Sequence, residues 1–223
     1  MTTHLNHESF TGTYDFGKPR LRGWIHATLT PLALAAGIVL VCLSPDPVTR
    51  WASTAYAAAT LLLFATSAAY HIGTWPPRVN QVLQRLDHTN IYLIIAASYT
   101  PIALGGLHNW RLRLVLALVW SAAAVGVAVR WWWASAPPPV ATSLYVLLGW
   151  SIAPFLGEVL STNIVAGVLT IVGGSLYTVG AVAYAVRWPD PHPGWFGYHE
   201  VFHLFTAAAW TCQYIAICLF TFA

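Results

Sequence analysis

The chain has 223 residues, 57% of them hydrophobic and only 8% charged, with a net charge of +3. Soluble domains carry about 25% charged residues, so this composition excludes a water-soluble globule and makes a lipid bilayer the expected solvent. Its few Lys and Arg form no run. That excludes a nucleic-acid-binding surface and leaves membrane lipids as the expected partners.

Residues 1–23 read as a short polar tail. It holds His4, His7, Glu8, Asp15, Lys18, Arg20 and Arg22 and no apolar run, so it does not have the form of a secretory leader. Beyond it, seven long stretches lack Asp, Glu, Lys and Arg. A spanning helix needs about 20 mostly apolar residues, and helices are expected near 24–43, 51–71, 86–105, 112–130, 140–160, 164–186 and 198–221. The fourth stretch is short, with Arg113 and Arg130 placed to snorkel from its ends. Connections such as "SPDPVT", "GTWPPR", "ASAPPP" and "WPDPHPG" are brief and turn-rich. The expected fold is all-α: a multi-pass membrane protein whose residues 24–223 form a seven-transmembrane helix bundle, with Pro101 and Pro154 kinking two of its helices.

With the N-terminus inside, the inner segments carry Lys18, Arg20, Arg22, Arg78, Arg85, Arg130 and Arg187, and the outer ones Arg50, Arg111 and Arg113. That bias favours a plasma-membrane protein with a cytoplasmic N-terminus and an extracytoplasmic C-terminus. Cys42, Cys212 and Cys218 all lie in apolar stretches, without close spacing. They read as packing residues rather than a disulfide framework.

The topology brings His71, Asp87, His199 and His203 to one depth, at the cytoplasmic side. His199 and His203 are one helical turn apart, so both rings leave the same face and can hold one ion. Ser67 and His71 repeat the spacing on the second helix. Three His with an open fourth position is a common catalytic zinc set, and Asp87 either binds the metal or holds its water. Plainer readings stand beside these. His71 can sit in the headgroup layer, Asp87 can cap the third helix, and Ser67 can bond back along its own helix. His88 reads as a surface or interfacial residue. His26, His108 and His192 have no partner in sequence.

"HEVFH" (199–203) also matches the H-E-x-x-H of zinc peptidases, with Glu200 as base. Only twenty residues follow His203, and they contain no His, Asp or Glu. A third ligand must therefore come from an earlier helix, best from His71. Glu200 is expected in the first turn of the last helix, where its charge suits the dipole.

"TSAAYH" (66–71), "LDHTNIYLIIAASYTPIAL" (86–104) and "GYHEVFHLF" (197–205) resemble, in order, the motifs of the hemolysin III family of the progestin and adipoQ receptor superfamily. The resemblance implies seven helices with an intramembrane Zn2+ near the cytoplasmic face. It places Ser67, His71, Asp87, His199 and His203 in the metal site, with three His on zinc and the Asp reaching it through water. Adiponectin receptors of that superfamily are reported as ceramidases, and bacterial members take their name from a cytolytic activity and are linked to membrane homeostasis. Asn90 stands where members often have Gly, and the short tail suits the bacterial type. Ceramide is uncommon in bacteria, so that substrate is not carried over.

The leading expectation is a zinc-dependent membrane hydrolase of lipid amide or ester bonds. His71, His199 and His203 hold the metal, Asp87 orients or deprotonates water, and Ser67 donates to the oxyanion or supports the ligands. The alternative is a non-catalytic membrane-homeostasis or stress protein in which zinc staples the second and last helices. A pore-forming cytolysin is disfavoured, because apolar spans offer few residues to line a channel.

Overall fold

The computed structural model of the protein describes residues 18–133, 138–192 and 194–223. Most of the polar tail, with His4, His7, Glu8 and Asp15, lies outside the described residues, as does much of "ASAPPP". All regular elements among the described residues are helices. They are α1 (Trp24–Leu43), α2 (Pro47–Ile72), α3 (Pro77–Gly106), α4 (Asn109–Trp132), α5 (Pro138–Gly149), a 3-10 turn (Ala153–Phe155), α6 (Leu156–Thr162), α7 (Ile164–Val186) and α8 (Tyr198–Thr221).

Six segments are long and apolar enough to cross a membrane: α1, α2, α4, α7, α8 and the composite Thr142–Thr162 formed by α5 and α6. The remaining long helix, α3, has 30 residues but is more polar. Its first turns (77–85) are largely exposed, and Asp87, Thr89 and Asn90 follow, all buried.

Large apolar side chains point outward, as on Leu32, Leu34 and Ile38 of α1 and Val165, Val168 and Val172 of α7. Polar side chains turn inward. Ser53, Thr60, Ser67 and His71 share the buried face of α2, and Glu200, His203, Thr206 and Gln213 that of α8. A bilayer explains this inversion: outward residues meet lipid, and polar groups must find partners within the bundle. Exposed Trp24, Trp75, Trp132, Trp188 and Trp195 all lie where α1 and α8 begin and α2, α4 and α7 end. They form an aromatic belt at one end of the bundle.

α3 runs through the middle, packing on α2, α4, α5, α6 and α8, while α8 lies chiefly on α7 and also reaches α1. Small residues permit close approach. A Cβ on Gly126 of α4 would enter the Tyr92 ring, and one on Gly173 of α7 would meet the Gln213 side chain.

Two boundaries depart from the sequence reading. The third helix starts at Pro77 rather than near 86, because Pro76 and Pro77 provide a helix start and the polar first turns escape a hydropathy criterion. The fifth stretch is not one continuous helix. α5 stops at Gly149 and Pro154 lies in the 3-10 turn. The break is repaired by Tyr99, whose hydroxyl donates to Gly149 O at 2.6 Å and accepts from Ile152 N at 3.2 Å.

Candidate metal centre

α8 begins at Tyr198 because the backbone before it is capped from several sides. Glu200 accepts from Gly197 N at 2.8 Å, and Asp190 accepts from Tyr198 N at 3.1 Å. Glu200 is fully buried and forms an ion pair with Arg22. The segment before α1 is laced onto the same loop, with Arg20 N donating to Gly194 O (3.2 Å) and Leu21 N to Trp195 O (3.1 Å). Arg20 lies over the Trp195 ring at 4.6 Å. The starts of α1 and α8 are therefore held side by side.

His199 and His203 leave one face of α8 and meet His71 from the last turn of α2. One nitrogen from each of these three side chains lies within 4.8 Å of the others. His199 Nε2 is 3.2 Å from His71 Nε2, and the ring centroids are 4.6 Å apart for His71–His199 and 4.6 Å for His199–His203. His71 and His203 are buried, and His199 partly so.

The donor chemistry suits a metal. Two Nε2 atoms facing each other cannot both accept a hydrogen bond, though both can face a cation. His203 Nε2 is buried with no hydrogen-bond partner. Nitrogens on one tetrahedral zinc, about 2.0–2.1 Å from it, lie roughly 3.3 Å apart, close to the His71–His199 spacing.

Asp87 Oδ2 stands 3.5 Å from His71 Nε2, beside the three imidazoles rather than among the mutually close set. The capping reading of Asp87 is overturned, because α3 begins ten residues earlier and Asp87 is interior to it. Ser67 is buried one turn before His71, its Oγ without a partner. Asn90 donates to Leu62 O at 3.1 Å and ties α3 to α2 beside Asp87.

A cavity of about 300 Å³ opens next to this cluster, lined by Ser67, Asp87, His199 and His203 together with apolar side chains such as Ile91, Ile94 and Val146. Three further residues face it that the sequence does not point to as part of the site. Arg130 does not snorkel outward: it is 5% exposed and hydrogen-bonds His88 Nδ1. His88, read from the sequence as surface or interfacial, is accordingly half-buried. His26 has no close partner in sequence but lies against His203. Short-range spacings such as His199/His203 and Ser67/His71 show in the sequence; these contacts do not, because they join residues far apart in the chain. Glu200, the base that a peptidase would need, is occupied by Arg22 and Gly197 N and does not line the cavity.

A helical bundle with a lipid-facing apolar exterior and a buried His/Asp cluster at one end defines a multi-pass integral membrane protein. Its sequence matches the Haemolysin-III related family model over residues 14–214, and the chain belongs to that family. It is 25% identical over 190 residues to the Hemolysin-3 homolog of Bacillus subtilis (strain 168), covering 83% of this chain and 86% of that one. Hemolysin-3 of Bacillus cereus is 32% identical over 149 residues, 65% of this chain and 66% of its own. The human Monocyte to macrophage differentiation factor is 28% identical over 204 residues, 87% of this chain and 80% of its own.

Proposed function

We propose that this protein is a zinc-dependent hydrolase of lipid amide or ester bonds, with His71, His199 and His203 as metal ligands. The observation that carries the reading is their convergence, with Asp87 and Ser67 alongside, beside a cavity whose lining mixes apolar side chains such as Ile91, Ile94 and Val146 with polar ones such as Arg130 and His88. When bound, zinc supplies Lewis acidity, which polarises a carbonyl and acidifies water toward pKa ~7. The protein's own groups do the rest. Asp87 Oδ2 takes the proton of the attacking water and holds it for the leaving group. Ser67 Oγ, lacking any other partner, donates to the oxygen on which charge develops. Ile91, Ile94 and Val146 accept an acyl chain and keep bulk water away.

In this reading α3 is a seventh span: its 30 residues exceed the bilayer requirement, and its polar Asp87, Thr89 and Asn90 are buried among neighbours. Seven of the ten Lys and Arg (Lys18, Arg20, Arg22, Arg78, Arg85, Arg130, Arg187) fall at the end that carries the His cluster. That bias supports a cytoplasmic N-terminus and an extracytoplasmic C-terminus.

One observation favours a second reading, in which the metal is structural. α2 and α8 pack mostly on other helices and little on each other, so a shared ion would be their main tie. Purified protein separates the two by zinc content and by hydrolysis of lipid amides and esters. A hydrolase requires that Asp87→Ala retain most of the metal and lose turnover. Zinc at one per chain without turnover on any lipid class leaves the structural role.

A further inference from the structure

His26 has no part in the chemistry just described, yet it is 2% exposed and lies at the centre of the bundle's polar end. It sits in the first turn of α1, and its Nε2 is 2.9 Å from His203 Nδ1. The two rings meet edge to face, with centroids 4.0 Å apart and planes at 85°. Phe64 backs His26 at 5.0 Å. Just before α1, Arg22 holds Glu200 of α8, so an ion pair beside the two imidazoles helps fix the register that brings them together.

A hydrogen bond between two neutral imidazoles has one proton between them, and its owner decides what His203 can do. If His26 donates, neutral His203 keeps its own proton on Nε2, and that nitrogen has no lone pair for a metal. If His203 donates from Nδ1, its Nε2 is left as a free lone pair. That Nε2 is the buried atom without a partner, in a ring whose centroid is 4.6 Å from that of His199 and 5.3 Å from that of His71.

We infer that His26 is a positioning residue for the metal centre: its Nε2 accepts the Nδ1 proton of His203 and so fixes the tautomer and ring plane that present Nε2 to the ion. The inference rests on the three-His metal reading above. It adds a contribution from α1 to a site otherwise built on α2, α3 and α8. Partners of this kind raise ligand basicity, and their loss costs about 10–100-fold in metal affinity.

The test uses the purified full-length protein in detergent or nanodiscs. Zinc affinity is measured by chelator competition, and the visible spectrum of the Co(II)-loaded protein is recorded. Wild type, His26→Phe and His26→Gln are compared. Phe keeps ring volume but accepts no hydrogen bond, whereas Gln can accept one through its side-chain oxygen. The expected result is a zinc affinity about 10–100-fold weaker in His26→Phe, with shifted Co(II) bands. His26→Gln should retain more of the affinity and wild-type-like bands. Should His26→Phe fail to give monodisperse protein, His26→Leu carries the same expectation. Wild-type affinity and unchanged bands in the Phe or Leu variant would overturn the inference while leaving the metal reading intact, and so would equal losses in Gln and Phe. A wild-type protein that binds neither Zn2+ nor Co2+ would remove the metal reading itself, and this inference with it.

Discussion

Ser67 and Asp46 show how differently a polar side chain behaves inside the bundle and at its rim. Ser67 is buried, unpartnered and beside the His cluster. As an oxyanion donor, its replacement by Ala should leave zinc content unchanged and lower kcat by about 10²–10³. A lipid-hydrolysis assay with parallel metal analysis checks this. Asp46 caps α2 outside the spanning segment, accepting from Thr49 Oγ1 at 2.7 Å, Val48 N at 2.8 Å and Thr49 N at 3.1 Å. The Thr49 hydroxyl, followed by the backbone N–H groups, holds its carboxyl below the ordinary Asp range. A depressed carboxyl pKa stabilises the fold above the unfolded-state value, and the contribution fades as pH falls through the lowered one. Asp46→Ala should therefore lower the thermal midpoint at neutral pH, with the gap to wild type closing in strong acid. At this scale the sequence was partly legible. The i,i+4 pair His199/His203 has a spacing that signals itself. His26, 177 positions from its partner His203, has none. Neither does the Arg130–His88 contact, 42 positions apart.

Helices were legible through their apolar runs, and errors fell where a helix is not apolar. α3 starts on the polar segment "PRVNQVLQRL" (77–86), which a hydropathy reading passes over. The interruption after α5 is invisible because its repair comes from Tyr99, fifty positions away. Tyr99→Phe leaves Gly149 O and Ile152 N without that hydroxyl. Each buried unsatisfied group costs about 1–3 kcal/mol, so a loss of that order is expected in denaturant unfolding, localised to α5 and α6 by hydrogen exchange. At the start of α1, Gly23 adopts φ 85°, and an added Cβ would stand 2.8 Å from His71 Cβ. Gly23→Ala thus combines left-handed strain of about 1–2 kcal/mol with pressure on a ligand-bearing turn. Both a lower thermal midpoint and weaker zinc binding are expected, the second measured by chelator competition.

For the whole molecule, low charge and inverted polarity make the bundle a membrane protein, and family membership agrees with the three sequence motifs. The polar cluster, seven of the ten Lys and Arg, and the Trp belt occupy the same end of the bundle. In the orientation proposed, single cysteines placed at Arg78 and Arg187 should react with impermeant reagents only after the cytoplasmic face is opened. Cysteines at Arg50 and Arg111 should react on intact cells. What binds the α1, α2 and α8 ends into one site is a set of contacts made only on folding: Arg22–Glu200, His26–His203 and His71–His199. X-ray absorption at the zinc edge of the purified protein addresses the shared ion most directly. One zinc per chain with three imidazole nitrogens in its shell is the expected result. Substoichiometric zinc, or a shell without imidazole, would contradict it.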